Sequence, residues 1–289
     1  MASTFGAAID LMRPMNGVIG SMTVVLGGII TLNGQWDTQA IMAIGCLTLS
    51  LFLFTGMGHT LNDVLDASGD AINHPHRPIP SGRISAEMGR YAAIIEGVLS
   101  CLAMIAGAVL SESYHPAIIW TIAIVLMITY DIGPATKRLG LPGNLIIGLL
   151  VGMVVMFGGS AVPGGVTNPV VLATALAAFL AQTGREIIKD CEDMEGDEDR
   201  RTLPDRIGIV NARSAAYVFV MFALLPLMLP YTTGILDPWR IAFQAPSMAV
   251  LIMINRPLFA GEDSKAQKQV RMGQFLGILG FVASVTVLV

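Results

Sequence analysis

The chain has 289 residues, 54% of them hydrophobic and 13% charged, with a net charge of −4 and a mean hydropathy of +0.68. Soluble domains carry about 25% charged residues, so this composition excludes an ordinary soluble protein; the net charge says little, because the acids concentrate in two clusters, and no nucleic-acid partner is expected. The three cysteines, Cys46, Cys101 and Cys191, share no metal-type spacing and make no disulfide framework.

A bilayer crossing needs about 20 mostly apolar residues. Read in order, the apolar runs predict an all-α, polytopic membrane protein with nine spans. They lie near 14–32, 40–61, 87–110, 114–131, 143–161, 168–188, 212–231, 239–256 and 270–289, the eighth interrupted by Pro246. The first begins only after Arg13-Pro14 and has no clear basic leader, so it reads as a retained span and not a cleavable signal. Gly27-Gly28, Gly148/Gly152 and Gly158-Gly159 read as surfaces where membrane helices pack closely.

Two acidic clusters close the second and sixth spans. Asp63, Asp66 and Asp70 are spaced 0, 3, 7, and so are Asp190, Asp193 and Asp197. At about 3.6 residues per turn each set falls on one helical face, and Asn62, Asp66 and Asp70 form an overlapping face. Like charges so placed repel. One such cluster alone reads equally well as a solvated helix end. Two with matched spacing and basic neighbours point instead to divalent cations, and Mg²⁺ characteristically joins one or two carboxylates to a substrate phosphate.

Basic residues set the orientation. With nine spans and a cytoplasmic N-terminus, every Lys and Arg except Arg240 falls on the cytoplasmic side, and so do both acidic clusters. Two further features share that face: Tyr130-Asp131 at the end of the fourth span, and Lys137-Arg138 before the fifth. Lys137 reads as a phosphate contact, whereas Arg138 and Arg13 fit either a phosphate contact or a topology anchor. Lys265 and Lys268 read as a solvated loop.

Two carboxylate faces, several cations and the mouth of an apolar bundle therefore meet at one membrane surface. A diphosphate carried by Mg²⁺ satisfies the carboxylates and the cations together. An apolar tail satisfies the bundle. A lipid diphosphate has both, and metal and cations would stabilise charge on a departing diphosphate. No Ser-His-Asp or Cys-His arrangement is present, and the chemistry needs none.

Asn62-Asp63-x-x-Asp66-x-x-x-Asp70, the following Arg77-Pro78-Ile79-Pro80-Ser81-Gly82-Arg83, Lys137-x-x-Gly140-Leu141-x-Gly143-Asn144 and Asp190-x-x-Asp193-x-x-Gly196-Asp197 together resemble the UbiA superfamily of intramembrane prenyltransferases. The resemblance covers most of the chain. It implies nine transmembrane helices around a central cavity, Mg²⁺-dependent binding of a prenyl diphosphate, and transfer to a lipophilic or aromatic acceptor. It implies further that Asn62, Asp66, Asp70, Asp190, Asp193 and Asp197 hold the Mg²⁺–diphosphate. Arg77 and Lys137 would contact phosphate and Tyr130 would face the site. From their places in the sequence, Asp63, Arg13, Arg138 and Lys189 are further candidate contacts. The string Arg185-Glu186-Ile187-Ile188-Lys189-Asp190 is most similar to archaeal members that add a second geranylgeranyl group to geranylgeranylglyceryl phosphate. Tyr130 and Lys137 stand farther apart than in many members, and Tyr130-x-x-x-Pro134 is similar to chlorophyll-synthase-like ones.

The expectation is one transmembrane prenyltransferase domain over 1–289, with Asp-rich regions at 62–83 and 186–206. It sits in the cell membrane with its active site open to the cytoplasm and needs no obligate protein partner. A phosphorylated acceptor needs an added cation, for which Arg13 and Arg138 are candidates. The alternative acceptor is an aromatic quinone precursor, 4-hydroxybenzoate or dihydroxynaphthoate, or a tetrapyrrole. A CDP-alcohol phosphotransferase is disfavoured because its Asp-Gly-x-x-Ala-Arg element is missing after Asp66. A cation-coupled transporter would carry its acids near mid-membrane at interrupted helices, whereas both clusters lie at span ends.

Overall fold

Polar caps and prolines decide where the helices begin. The computed structural model describes residues 4–132, 136–195 and 202–287, and no strand occurs among them. Helix α1 is Thr4–Met12, α2 Pro14–Leu32, α3 Thr38–Leu65, α4 Ala67–Asn73, α5 Ala86–Leu110, α6 His115–Asp131, α7 Leu141–Gly159 and α8 Pro169–Glu192. After these come α9 Leu203–Ile207, α10 Ile209–Phe222, α11 Leu224–Thr232, α12 Ala245–Met253, α13 Asn255–Phe259 and α14 Asp263–Thr286. Asp37 caps α3 by accepting from the Ala40 amide at 2.9 Å, and Asn168 caps α8 by accepting from the Val170 amide at 2.9 Å. Such caps satisfy amides that have no partner inside the helix. Pro14, Pro116, Pro142 and Pro169 occupy first turns, where a missing N–H is harmless.

This is a multi-pass membrane protein. Each of the nine expected runs falls largely on helix. Among the described residues, seven helical segments are long and apolar enough to cross a bilayer: Pro14–Leu32, Thr38–Leu65, Ala86–Leu110, Leu141–Gly159, Pro169–Glu192, Ile209–Thr232 and Pro238–Phe259. The other two runs differ. Helix α6 is apolar but has 17 residues, and α14 has 24 residues with a polar first half. The segment Ile209–Thr232 breaks at Ala223, ahead of Pro226, and Pro238–Phe259 breaks at Ile254, ahead of Pro257. In each case the ring clashes with the preceding turn and removes one ladder hydrogen bond. Pro246 itself sits in the first turn of α12, where a 3₁₀ stretch over Pro238–Gln244 gives way to α-helix.

Apolar side chains on α5 point outward, with Ile94, Val98, Leu102 and Val109 all more than half exposed. A helix facing lipid has this character. Inside the bundle, association in lipid depends on close backbone approach and hydrogen bonds. Helices α2 and α7 cross through a reciprocal glycine pair: Gly27 lies against the carbonyl of Val155, and Gly158 against that of Val24. An added Cβ at either would collide with backbone. Helices α3 and α5 are joined by another reciprocal pair, Ser50 donating to the Ser100 carbonyl and Ser100 to the Ser50 carbonyl, each at 2.9 Å. Trp120 of α6 donates to Ser100 Oγ at 3.0 Å.

Helix α8 is the most enclosed candidate span, with two thirds of its apolar window buried. It packs on α7, α10, α11 and α14. Beyond it, Tyr231 bonds Ser284 at 2.7 Å and Gln244 donates to the Gly277 carbonyl at 3.2 Å, tying α11 and the 3₁₀ stretch to α14. Helix α3, which leads into the first acidic motif, packs on α1, α2, α5 and α7.

Candidate active site

The first motif does not lie on one straight helix. Helix α3 ends at Leu65, Asp66 sits between helices with φ −92° and ψ 7°, and α4 begins at Ala67. The backbone ladder still carries across, because the Asp66 amide bonds the Asn62 carbonyl and the Asp70 amide bonds the Asp66 carbonyl, both at 2.9 Å. The bend at Asp66 divides the cluster by partner: Asp63 and Asp70 meet arginines, and Asp66 meets a lysine.

Three cations meet these carboxylates. Arg77 bonds Asp70 at 2.5 Å and lies 3.6 Å from Asp63. Arg13 donates to Asp63 at 2.5 Å. Lys137, carried by the 3₁₀ turn Thr136–Arg138, reaches Asp66 at 3.0 Å and Asp131 at 3.1 Å. Arg13, Arg77 and Lys137 thus supply the charge compensation that the spacing alone suggested a metal would give. Lys137 is only 6% exposed, which excludes a solvated topology anchor. Arg13 is a non-glycine residue with φ 48°, a conformation costing about 1 kcal/mol or more. The Asp63 ion pair holds it there. Arg83 adds a contact to Asp10 at 2.6 Å, fastening the tail of the first motif to α1.

The second motif is reached through the start of α7. Gly143 packs against the backbone of Thr136 and Lys137, and its neighbour Asn144 donates to Asp190 Oδ2 at 2.8 Å. A continuous path therefore runs from Asp66 through Lys137 and the α7 N-terminus to Asp190. Helix α8 ends at Glu192, so Asp193 opens a 3₁₀ turn and is exposed, as is Lys189. Asn62 and Tyr130 are half-buried, one turn before Asp66 and beside Asp131 respectively. Asp197 and the Arg138 side chain lie outside the described residues.

These side chains suit a hard cation by donor type, since Asn62, Asp66, Asp70, Asp190 and Asp193 all offer oxygen. Among the described residues no group of three His, Cys, Asp or Glu converges on one point. That spread matches an ion held by one or two carboxylates and completed by substrate phosphate. A cavity of about 580 Å³ opens on the α10 side of the α8 end, lined by Glu192, Arg213, Asp263 and Lys265 among others. It does not include the paired carboxylates of the first motif.

Sequence reasoning passed over Asp131 as the second partner of Lys137 and Asn144 as the donor to Asp190. A charged residue closing an apolar helix was the available signal for Asp131.

The UbiA prenyltransferase family matches residues 19–284. A digeranylgeranylglyceryl phosphate synthase of Methanothermobacter thermautotrophicus is 33% identical over 282 residues, covering 95% of this chain and 94% of the relative. A solved structure from a study of digeranylgeranylglyceryl phosphate synthase in membranes superposes with TM-score 0.77 at 29% identity, covering 98% and 99% of the two chains. A UbiA homologue of Archaeoglobus fulgidus, solved with GPP and Mg²⁺, shares the fold with TM-score 0.67 at 16% identity, covering 97% of this chain and all of the other. With the family match running through both Asp-rich regions, the chain belongs to the UbiA prenyltransferase family.

Proposed function

We propose that this prenyltransferase moves a geranylgeranyl group from geranylgeranyl diphosphate to the hydroxyl of geranylgeranylglyceryl phosphate, forming digeranylgeranylglyceryl phosphate for archaeal ether lipids. The observation that carries a diphosphate site is the path from Asp66 through Lys137 to Asn144 and Asp190. The names of the relatives at about one-third identity support the acceptor, and the Archaeoglobus homologue with GPP and Mg²⁺ supports the donor class and the metal.

In this reading one domain crosses the membrane nine times, with α6 and α14 as the two further spans, and surrounds a central cavity. The N-terminus and the active site face the cytoplasm, as the distribution of Lys and Arg supports. Asn62, Asp66, Asp70, Asp190, Asp193 and Asp197 hold Mg²⁺, which when bound supplies positive charge to the leaving diphosphate. Arg77 and Lys137 exchange carboxylate partners for phosphate oxygens, with Arg13, Arg138, Lys189 and Asp63 around them. Tyr130 lines the site. The C–O bond to diphosphate breaks, and diphosphate keeps the electron pair. The acceptor oxygen forms the new ether bond and releases its proton. The apolar helices exclude water from the allylic cation.

The test is a competition. Purified protein with Mg²⁺ and labelled geranylgeranyl diphosphate is offered geranylgeranylglyceryl phosphate, 4-hydroxybenzoate and dihydroxynaphthoate together, and the products are resolved by mass. A dialkyl glyceryl phosphate is expected. An aromatic product would retain the prenyl chemistry and overturn the acceptor.

A further inference from the structure

His59 stands three residues before Asn62 and seven before Asp66 on α3. Those offsets put it on their face of the helix, about 4.5 Å along the axis from Asn62. Its ring is half-buried and meets α2, where the Asn16 side-chain amide donates to His59 Nε2 at 3.2 Å. An amide nitrogen only donates, so Nε2 carries the lone pair. Asn16 is exposed, and the pair therefore borders open space one turn short of the first acidic motif.

Ether formation releases a proton, and something must take it. Asp63, Asp66 and Asp70 are each paired with an arginine or a lysine. Glu96 of α5 is a buried acid, but it meets Thr60 at 3.4 Å. Thr60 is two residues from Asn62 and so lies on the far side of α3. His74 and His76 are exposed in the tail beyond α4, and His115 begins α6 at the end opposite Asp131. His59 alone among the histidines shares the Asn62–Asp66 face, and its partner is neutral. The bond that breaks joins the prenyl carbon directly to the diphosphate. The attacking hydroxyl must therefore come within about one helical turn of the side chains that hold that diphosphate. A hydroxyl donates and accepts at once. Between Asn16 and His59 it finds an N–H to accept from and a lone pair to donate to, in place of their bond to each other.

We propose that His59 is the general base that takes the proton of the acceptor hydroxyl, and that Asn16 orients that hydroxyl. The prenyl C–O bond breaks with its electron pair going to diphosphate. The acceptor oxygen bonds the prenyl carbon, its proton passes to His59 Nε2, and the imidazolium gives that proton to water once product leaves. The assignment rests on the proposed function and names the base it requires. The full-length protein with Mg²⁺ is assayed as wild type, His59→Ala and Asn16→Ala, with geranylgeranyl diphosphate and geranylgeranylglyceryl phosphate, in the presence and absence of added imidazole. Loss of a general base should lower kcat in His59→Ala about 100-fold, and imidazole should restore part of it. Loss of one hydrogen bond in Asn16→Ala should raise the acceptor KM about fivefold. Binding of the prenyl diphosphate, measured by calorimetry without acceptor, should match wild type in both variants. A kcat close to wild type in His59→Ala, a loss that imidazole does not reverse, or donor binding weakened as much as turnover would overturn the assignment. Asn16 is exposed and carries the test should His59→Ala misfold, since an unchanged acceptor KM in Asn16→Ala overturns it as well. Wild-type protein that makes no dialkyl glyceryl phosphate would instead overturn the proposed function, which keeps the two failures distinct.

Discussion

Lys137 Nζ stands 3.0 Å from Asp66 Oδ1 and 3.2 Å from Asp66 Oδ2, so one buried ammonium spans both oxygens of the carboxylate at the α3–α4 kink. Asp66 is still 32% exposed, which leaves it open to a second partner. Asp66→Asn should lower prenyl transfer about 100-fold or more while leaving expression and detergent-extracted folding intact. Turnover close to wild type would remove Asp66 from the site.

Arg13 combines a left-handed backbone with an ion pair to a buried carboxylate. Arg13→Ala keeps the backbone strain and removes one of the two cations near Asp63, with Arg77 remaining at 3.6 Å. A loss of about 2 kcal/mol is expected. Arg13→Gly relaxes the backbone and should recover roughly 1 kcal/mol of that. Thermal unfolding of the two variants side by side measures the difference, and a glycine variant less stable than the alanine one would contradict the strain.

Ser100 joins three helices, since it exchanges hydrogen bonds with Ser50 and accepts from Trp120. Ser100→Ala leaves the indole N–H without its acceptor in an apolar setting. The cost should be about 1–2 kcal/mol, read from the shift in unfolding midpoint, with catalysis at lower temperature unaffected. A midpoint equal to wild type would mean that the Trp120 donor has another outlet.

Lys265 is 64% exposed and, among the described residues, pairs with Glu262, itself 53% exposed. Surface pairs of this kind contribute little. Lys265→Ala should change neither activity nor stability by more than about 0.5 kcal/mol. A large effect on acceptor KM would assign the nearby cavity a role in substrate binding.

Local features of the sequence determined much of this protein by themselves. Apolar runs of bilayer length became helices because lipid leaves backbone groups no partner but each other. Pro14, Pro116, Pro142 and Pro169 marked helix starts, and the glycine pairs marked close crossings, for reasons that operate within a few residues. The repeated aspartate spacing pointed to Mg²⁺ and a diphosphate, because hard cations take oxygen ligands. Partnership was decided by the tertiary structure. Which cation meets which carboxylate depends on contacts such as Asp66 to Lys137, 71 residues apart, and Asn144 to Asp190, 46 apart. At the bend of Asp66 one carboxylate of the set goes to Lys137 and the other two go to arginines. Gln267 and Gln274 give α14 the look of a surface helix until α8 is set against it, because a polar side chain is solvated or buried according to what the fold brings beside it.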